Sequence, residues 1–270
     1  GQTDQIIAVG ADSPLIRPST LDNLILNHLS TQSCVTLLSA ASTIQDGMGK
    51  VIRNQDGKIT GILEAQEPAG NEGNTAEINA GAYCFNASWL WDGLKCIEKG
   101  RAREYYITSL IALADSQNTK VEALVFDDPM EVIGVNNRVQ LAQAEVTMRH
   151  RIRERWMLDG VTLIDPASIF LDETAEIGQD TVIHPNTMVL GRSKIGAHCN
   201  LGPGTIIQDS IIGTGCKVVA SFLEEATVEG SVDIGPFSHI RPGSYLESGV
   251  HIGNFSEVKN SRLGRNVMMG

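Results

Sequence analysis

Aromatic side chains are scarce: Phe, Tyr and Trp together make up 5% of the 270 residues. Aliphatic residues must therefore do most of the packing, and with 42% hydrophobic residues there are enough of them to build a core. Cations are also few. Twenty-one Lys and Arg face 32 Asp and Glu, for a net charge of −11. That balance argues against a nucleic-acid partner or an anionic membrane surface, both of which need a basic face. It leaves phosphorylated small molecules open, because a few well-placed cations can hold them. No apolar run approaches the roughly 18–20 residues that a membrane helix needs. The opening run GQTDQIIAVGAD has no cationic segment and no long apolar stretch, so it does not read as a signal peptide. A cytoplasmic protein is expected. It does not begin with Met, so the reading is that it does not begin at a natural start. The five cysteines (Cys34, Cys84, Cys96, Cys199 and Cys216) are odd in number and contain no C-x-x-C pair. A disulfide framework or thiolate zinc site is not expected, and buried reduced thiols are.

At roughly 100–200 residues per domain the length suits two domains, and the pattern changes near residue 160. Before it, strand-like runs alternate with helical ones. Gln5–Val9, Cys34–Ala40 and Val121–Phe126 read as strands, and Gly49–Arg53 with Lys58–Leu63 as a hairpin closed by a Gly turn. Ser19–Ser30 has Leu21, Leu24, Ile25 and Leu29 at helical spacing, with Ser19 or Thr20 as N-cap, and Tyr105–Ala114 reads as a second helix. This alternation predicts an α/β layer on a mostly parallel sheet. Arg138–Leu158 is the strongest helical signal, with Leu141, Met148, Ile152 and Trp156 on one stripe and an Asn137/Gln140 capping box. The expected division is 1–137, a linking arm at 138–159, and 160–270.

After residue 160 aliphatic residues recur every sixth position: Ile177, Ile183, Val189, Ile195, Leu201 and Ile207, then Ile212 and Val218 after a one-residue slip, then Ile234, Ile240, Leu246, Ile252 and Val258. Gly often follows, as in Ile177-Gly178 and Ile195-Gly196. A hexapeptide period predicts a parallel β-helix with three hexads per coil, each aliphatic pointing inward. Residues 18 apart then stack about 4.8 Å from one another. That stacks Arg241 beneath Lys259, two like charges at a cost of about a kcal/mol. Either an anion such as a phosphate lies between them or both side chains splay into solvent. His239 falls under Glu257 as a surface contact, and Asn254, in a Gly-Asn-Phe run, reads as a turn residue that tolerates a left-handed conformation.

The run IGPFSHIRPGSYLESGVHIGNFSEVKNSRLG resembles the acetyltransferase domain of the bifunctional N-acetylglucosamine-1-phosphate uridyltransferase / glucosamine-1-phosphate acetyltransferase family. The earlier runs GADSPL, GMGKVIRN, GILE, EINAGAYCF, REYYITSLIALA and EVIGVNNRVQLAQAE follow the same family in order and spacing. The resemblance implies a partial α/β Rossmann-like nucleotidyltransferase domain followed by a left-handed parallel β-helix, itself truncated. It implies that Asp12 and Asn136 hold Mg²⁺, that Gly49 offers its N–H to the sugar nucleotide, and that Glu64 and Asn79 hydrogen-bond N-acetylglucosamine. It also makes Arg241 and Lys259 the phosphate-binding cations of acetyl transfer. Taken alone, Asp12 reads rather as a turn or helix-start residue and Asn136 as a helix cap, while Gly49 can be a turn glycine, Glu64 a strand-edge carboxylate and Asn79 a bulge residue.

The implied chemistry moves acetyl from acetyl-CoA to glucosamine-1-phosphate, then uridylyl from UTP to the product, giving UDP-N-acetylglucosamine. Sugar phosphates, a nucleotide sugar and two further copies of the chain in a homotrimer are the implied partners. The family's Gly-rich phosphate loop has no counterpart here, and its acetyl-transfer His is expected just beyond Gly270, so the resemblance implies an interior segment with little activity alone. Gly10-Ala11, Ala80, Ser109 and the stretch Ala65-Gln66-Glu67 depart from the family pattern and bear on sugar preference. The competing readings are a sugar-1-phosphate nucleotidyltransferase with a regulatory, non-catalytic β-helix, and a non-catalytic assembly protein.

Overall fold

A computed structural model describes residues 3–41, 48–64, 77–99, 104–126 and 128–270. The departure at Ala65-Gln66-Glu67 lies outside them. The chain divides into two compact units, Gly1–Glu145 and Val146–Gly270.

The first unit is built on a mixed sheet. Its strands are β1 (Gln5–Val9), β2 (Val35–Ala41), β3 (Lys50–Arg53), β4 (Ile59–Leu63), β5 (Glu77–Asn86) and β6 (Val121–Phe126), ordered β4-β3-β5-β2-β6 with β1 on the other side of β5. The sheet is not mostly parallel as expected. Only β2 and β6 run parallel among the described strands, while β5 runs antiparallel to β1, β2 and β3. The reason is β5, a ten-residue strand whose alternation is masked in the sequence by small residues at Ala80, Gly81 and Ala82. On β5 the side chains alternate. Tyr83 and Phe85 join Val35, Leu37, Leu110 and Ile111 on one face, while Ile78, Ala80, Ala82 and Cys84 join Leu24 and Leu38 on the other. The helix α1 (Pro18–Thr31) covers the second face, and α2 (Ala87–Gly93) and α3 (Ser109–Ser116) cover the first.

Three local expectations shift. The cap of α1 is Arg17, with Pro18 at the first helical position, because the pyrrolidine ring already holds the helical φ. Helix α3 begins at Ser109, not Tyr105, since Thr108 turns its hydroxyl to Glu64. At the start of α4 (Arg138–Leu158), Asn137 Oδ1 accepts from the Val139 and Gln140 N–H groups, while Gln140 Oε1 reaches back to the N–H of Asn136, one residue earlier than a regular capping box. The division between the units falls within α4. Its Ile152, Met148 and Trp156 pack on the second unit's core, whereas Leu141 is exposed.

The second unit is a parallel β-solenoid. Two- and three-residue strands stack into three sheets, one running from Thr162–Leu163 through Asn200–Leu201 to Met268–Met269. Every aliphatic residue of the hexad series is buried. Coils are not uniformly 18 residues: Val182 pairs with Asn200, but Ile206 pairs with Phe222 and Ile211 with Thr227, 16 residues on. These short coils account for the slip in the sequence period and place Leu223 and Val228 in the core column. The Ile-Gly repeat also has a steric cause. A Cβ on Gly178 would lie 2.4 Å from Ala197 N, and one on Gly196 would lie 2.6 Å from Thr214 N, so the next coil's backbone occupies that space.

Left-handed backbone at the corners is taken by non-glycine residues including Asp180, Asn186, Asp209, Glu225 and Asn266. In the Gly253-Asn254-Phe255 turn the left-handed residue is Phe255 (φ 56°) and not Asn254; its ring stacks 5.3 Å from that of Phe237, itself at φ 60°. All five cysteines are free; Cys84, Cys199 and Cys216 are buried as expected, while Cys96 is exposed. No described helix is long and apolar enough to cross a membrane.

Candidate functional site

Three of the residues singled out in the first unit converge. Gly49 lies just before β3, Glu64 just after β4, and Asn79 in β5. The hairpin brings the first two together: a Cβ on Gly49 would lie 3.7 Å from Glu64 Oε2. The N–H of Asn79 donates to the Gly49 carbonyl at 2.8 Å, which ties β5 to the same place. Two residues not anticipated from sequence join them. Thr108 Oγ1 donates to Glu64 Oε1 at 2.5 Å, and Asn79 Nδ2 donates to the Tyr83 phenol oxygen at 2.6 Å. Burial pushes the Tyr83 hydroxyl up to about 12, so the group is a neutral phenol across the working range. The resulting cluster offers a carboxylate, a carboxamide, a phenol and a backbone N–H, a set suited to hydroxyl and amide groups.

Asp12 and Asn136 also meet. Asp12 follows β1, and its carbonyl accepts from the N–H of Val135 at 2.8 Å, which fixes the 134–136 segment against it. Asp12 Oδ2 and Asn136 Nδ2 each lie 3.8 Å from the point that a Cβ on Gly134 would occupy. Both residues are exposed. One carboxylate and one carboxamide fit Mg²⁺, which is commonly held by one or two carboxylates while water and substrate phosphates complete its shell. Among the described residues no group of three or more His, Cys, Asp and Glu could cage an ion.

In the solenoid, Ile240 pairs with Val258, so Arg241 and Lys259 are the next residues in register, as the spacing predicts. The expected bare repulsion is altered. Arg241 Nη1 forms an ion pair with Glu257 Oε1 at 2.6 Å, a hydrogen bond that also draws the Glu257 carboxyl below its usual range. Arg241 Nε is buried without a hydrogen-bond partner. Lys259 is exposed. His239, in register with Glu257, instead hydrogen-bonds Glu224 Oε1 at 3.0 Å and stacks on Phe222 at 4.9 Å. Glu224, His239, Glu257, Arg241 and Lys259 therefore lie in one strip across three coils.

Residues 174–209 match the family model described as bacterial transferase hexapeptide (six repeats). The chain is 41% identical over 266 residues to the "Bifunctional protein GlmU" of Halalkalibacterium halodurans, covering 98% of this chain and 58% of that protein. It is 39% identical over 264 residues to the GlmU of Carboxydothermus hydrogenoformans, covering 97% and 59%, and 40% identical over 271 residues to that of Streptococcus thermophilus, covering 100% and 59%. The chain thus spans less than two thirds of the length of these relatives. Among solved structures, the acetyltransferase domain of PglB from Neisseria gonorrhoeae overlaps 55% of this chain and 67% of its own, at 15% identity and a TM-score of 0.38.

Proposed function

Because the chain belongs to the GlmU sequence family, we propose that it carries residues of two transfer sites that together make UDP-N-acetylglucosamine. In the first unit, Gly49, Glu64 and Asn79 bind the sugar of N-acetylglucosamine-1-phosphate, and Asp12 with Asn136 holds Mg²⁺. Once bound, the ion would offset the phosphate charge as uridylyl passes from UTP to the sugar phosphate and pyrophosphate leaves. In the solenoid, Arg241 and Lys259 hold the phosphate of glucosamine-1-phosphate, whose amine receives acetyl from acetyl-CoA with release of the coenzyme A thiol. Arg engages two oxygens and Lys acts as a point charge. The observation that carries this reading is the convergence of Gly49, Glu64 and Asn79, spread over thirty residues of sequence, on one hydrogen-bonded cluster.

Association as a homotrimer in the cytoplasm completes the proposal. It is supported by one solenoid sheet whose outward row, Phe170, Met188, Ile206 and Phe222, is apolar and only half buried. On a second sheet the corresponding row includes Asn200, Lys217, Asp233 and His251.

Calorimetric titration with N-acetylglucosamine-1-phosphate and Mg²⁺ tests the first site. Saturable binding is expected, clearly weakened in Glu64→Ala and Asn79→Ala and unchanged in Lys259→Ala. Equal loss in all three variants would mean that the binding is not at this cluster.

A further inference from the structure

Tyr83 is buried, with its ring 5.7 Å from that of Phe85, yet its phenol oxygen does not face only the core. It accepts a hydrogen bond from Asn79 Nδ2 at 2.6 Å, four residues back on the same strand. On a regular strand those two positions are about 13 Å apart along the chain. Here β5 is bulged: Tyr83 lies opposite Leu37 and Asn79 opposite Ser39, so four steps of β5 span two of β2, with Gly81 at φ +72° inside the bulge, and the tyrosine side chain reaches across the shortened gap. Gly81 also donates its N–H to Asn79 Oδ1 at 3.3 Å. The carboxamide is thereby held at both ends: its oxygen is engaged by Gly81 and one amide hydrogen by Tyr83.

That leaves specific groups unspent. Asn79 keeps a second amide hydrogen and Tyr83 keeps its own hydroxyl proton. Thr108 occupies Glu64 Oε1, so Oε2, on the Gly49 side, remains an acceptor. We propose that Tyr83 is a positioning and specificity residue of this site, fixing the Asn79 carboxamide in one orientation and adding a second donor beside it. Two donors next to one carboxylate oxygen suit a sugar that presents a carbonyl or ether oxygen together with a free hydroxyl, such as an N-acylated hexosamine phosphate. Burial keeps the phenol protonated, so the donor persists at neutral and mildly alkaline pH. The inference rests on the sugar-site reading above and goes beyond it by assigning a residue that does its work through Asn79.

The test is Tyr83→Phe, which keeps the ring and its packing on Phe85 and removes the oxygen alone. Titrated with N-acetylglucosamine-1-phosphate, this variant should bind about tenfold more weakly, the loss expected for one hydrogen bond whose partner is left misaligned. Binding of glucose-1-phosphate, which lacks the acyl group, should weaken less, so the preference between the two sugars narrows. Because part of its effect runs through Asn79, the losses from Tyr83→Phe and Asn79→Ala should be less than additive in the double variant. As a readout independent of ligand, the Asn79 side-chain amide resonances should be shifted and protected from exchange in the parent and lose that protection in Tyr83→Phe. Unchanged binding by Tyr83→Phe, or losses that simply add in the double variant, would overturn the assignment while leaving the sugar site standing. A parent chain that binds neither sugar would remove the sugar site itself, and this inference with it.

Discussion

The two units secure themselves in different ways. The solenoid repeats one device: each coil contributes inward aliphatics, such as Leu201, Ile207 and Ile212, to a single continuous column, and backbone hydrogen bonds join each coil to the next. The α/β unit has two separate apolar layers, one on each face of its sheet, and depends on side-chain contacts that occur once. Arg53 pairs with Glu77, which also accepts from Ser39 Oγ, and buried His28 bridges Thr36 and Gln5. A repeated device spreads the effect of a change over neighbouring coils, while a unique contact concentrates it. The units should therefore respond differently to core truncation, to ligand and to pH, and each response can be measured separately.

Core truncation gives the largest expected effect. Ile207 is fully buried in the middle of the column, and Ile207→Ala should cost about 2–5 kcal/mol through lost transfer energy and a residual cavity. In a denaturant titration with domain-resolved probes, the solenoid transition should move and the α/β transition should stay. Movement of both together would show that the two units unfold as one, and the contrast between them would fail.

Next is the anion strip. Lys259→Ala should weaken binding of glucosamine-1-phosphate by about 1.5–3 kcal/mol, the range for a hydrogen bond to a charged group. Spacing alone suggests that removing one of two stacked cations leaves the fold no less stable, or slightly more so. Because Glu257 already neutralises Arg241, thermal stability should instead change little. A marked gain in melting temperature would mean that the repulsion is uncompensated after all.

The contrast between the units also explains which features were legible beforehand. Every inward residue of the hexad series from Ile177 to Val258 is buried, since a period enforced by stacking leaves the same residue type at each step. Leu223 and Val228 escaped because the coils there shorten to 16 residues and break the count. Five of the six strands of the α/β unit and helices α1, α3 and α4 could be placed in outline, but β5 and α2 were missed, and the pairing of β5 is set by tertiary packing and not by local pattern. The candidate site shows the same limit. Gly49, Glu64, Asn79, Asp12 and Asn136 stood out through family resemblance, whereas Thr108 and Tyr83 became evident only through contacts, Thr108 being 44 residues from Glu64.

Acid should separate the units more gently. Burial lowers the pKa of His28 below its usual 6.5. The unfolded chain then takes up a proton before the folded one does. The contribution of His28 is complete above about 6.5 and is lost as pH falls below that value toward the folded pKa, at no more than about 1.4 kcal/mol per pH unit. In the solenoid, hydrogen bonds from Tyr245 and Ser248 hold Glu229 at about 2, so its contribution persists until the pH falls below the usual carboxylate value of 4.5. Calorimetry between pH 7.5 and 5.5 should show the α/β transition drifting downward, and His28→Gln should flatten that drift. A drift that survives the substitution would place the responsible proton elsewhere.

The smallest effect tests the corners. Glu225 is exposed and holds φ at 44°, where its Cβ crowds the following carbonyl, while its N–H donates to Gln208 O at 3.0 Å. Nothing in that turn uses the Glu225 carboxylate in a hydrogen bond, so the side chain brings strain without a compensating contact. Asn tolerates the left-handed region better, because its short polar side chain can bond locally. Glu225→Asn should stabilise the solenoid transition by roughly 0.5–1 kcal/mol, a part of the 1–2 kcal/mol that a left-handed L-residue costs. The α/β transition should not move. If Glu225→Asn destabilises the solenoid instead, the corner is held by its side chain and not by the coil-to-coil hydrogen bonds, and the repeating device of this unit would resemble the unique contacts of the other.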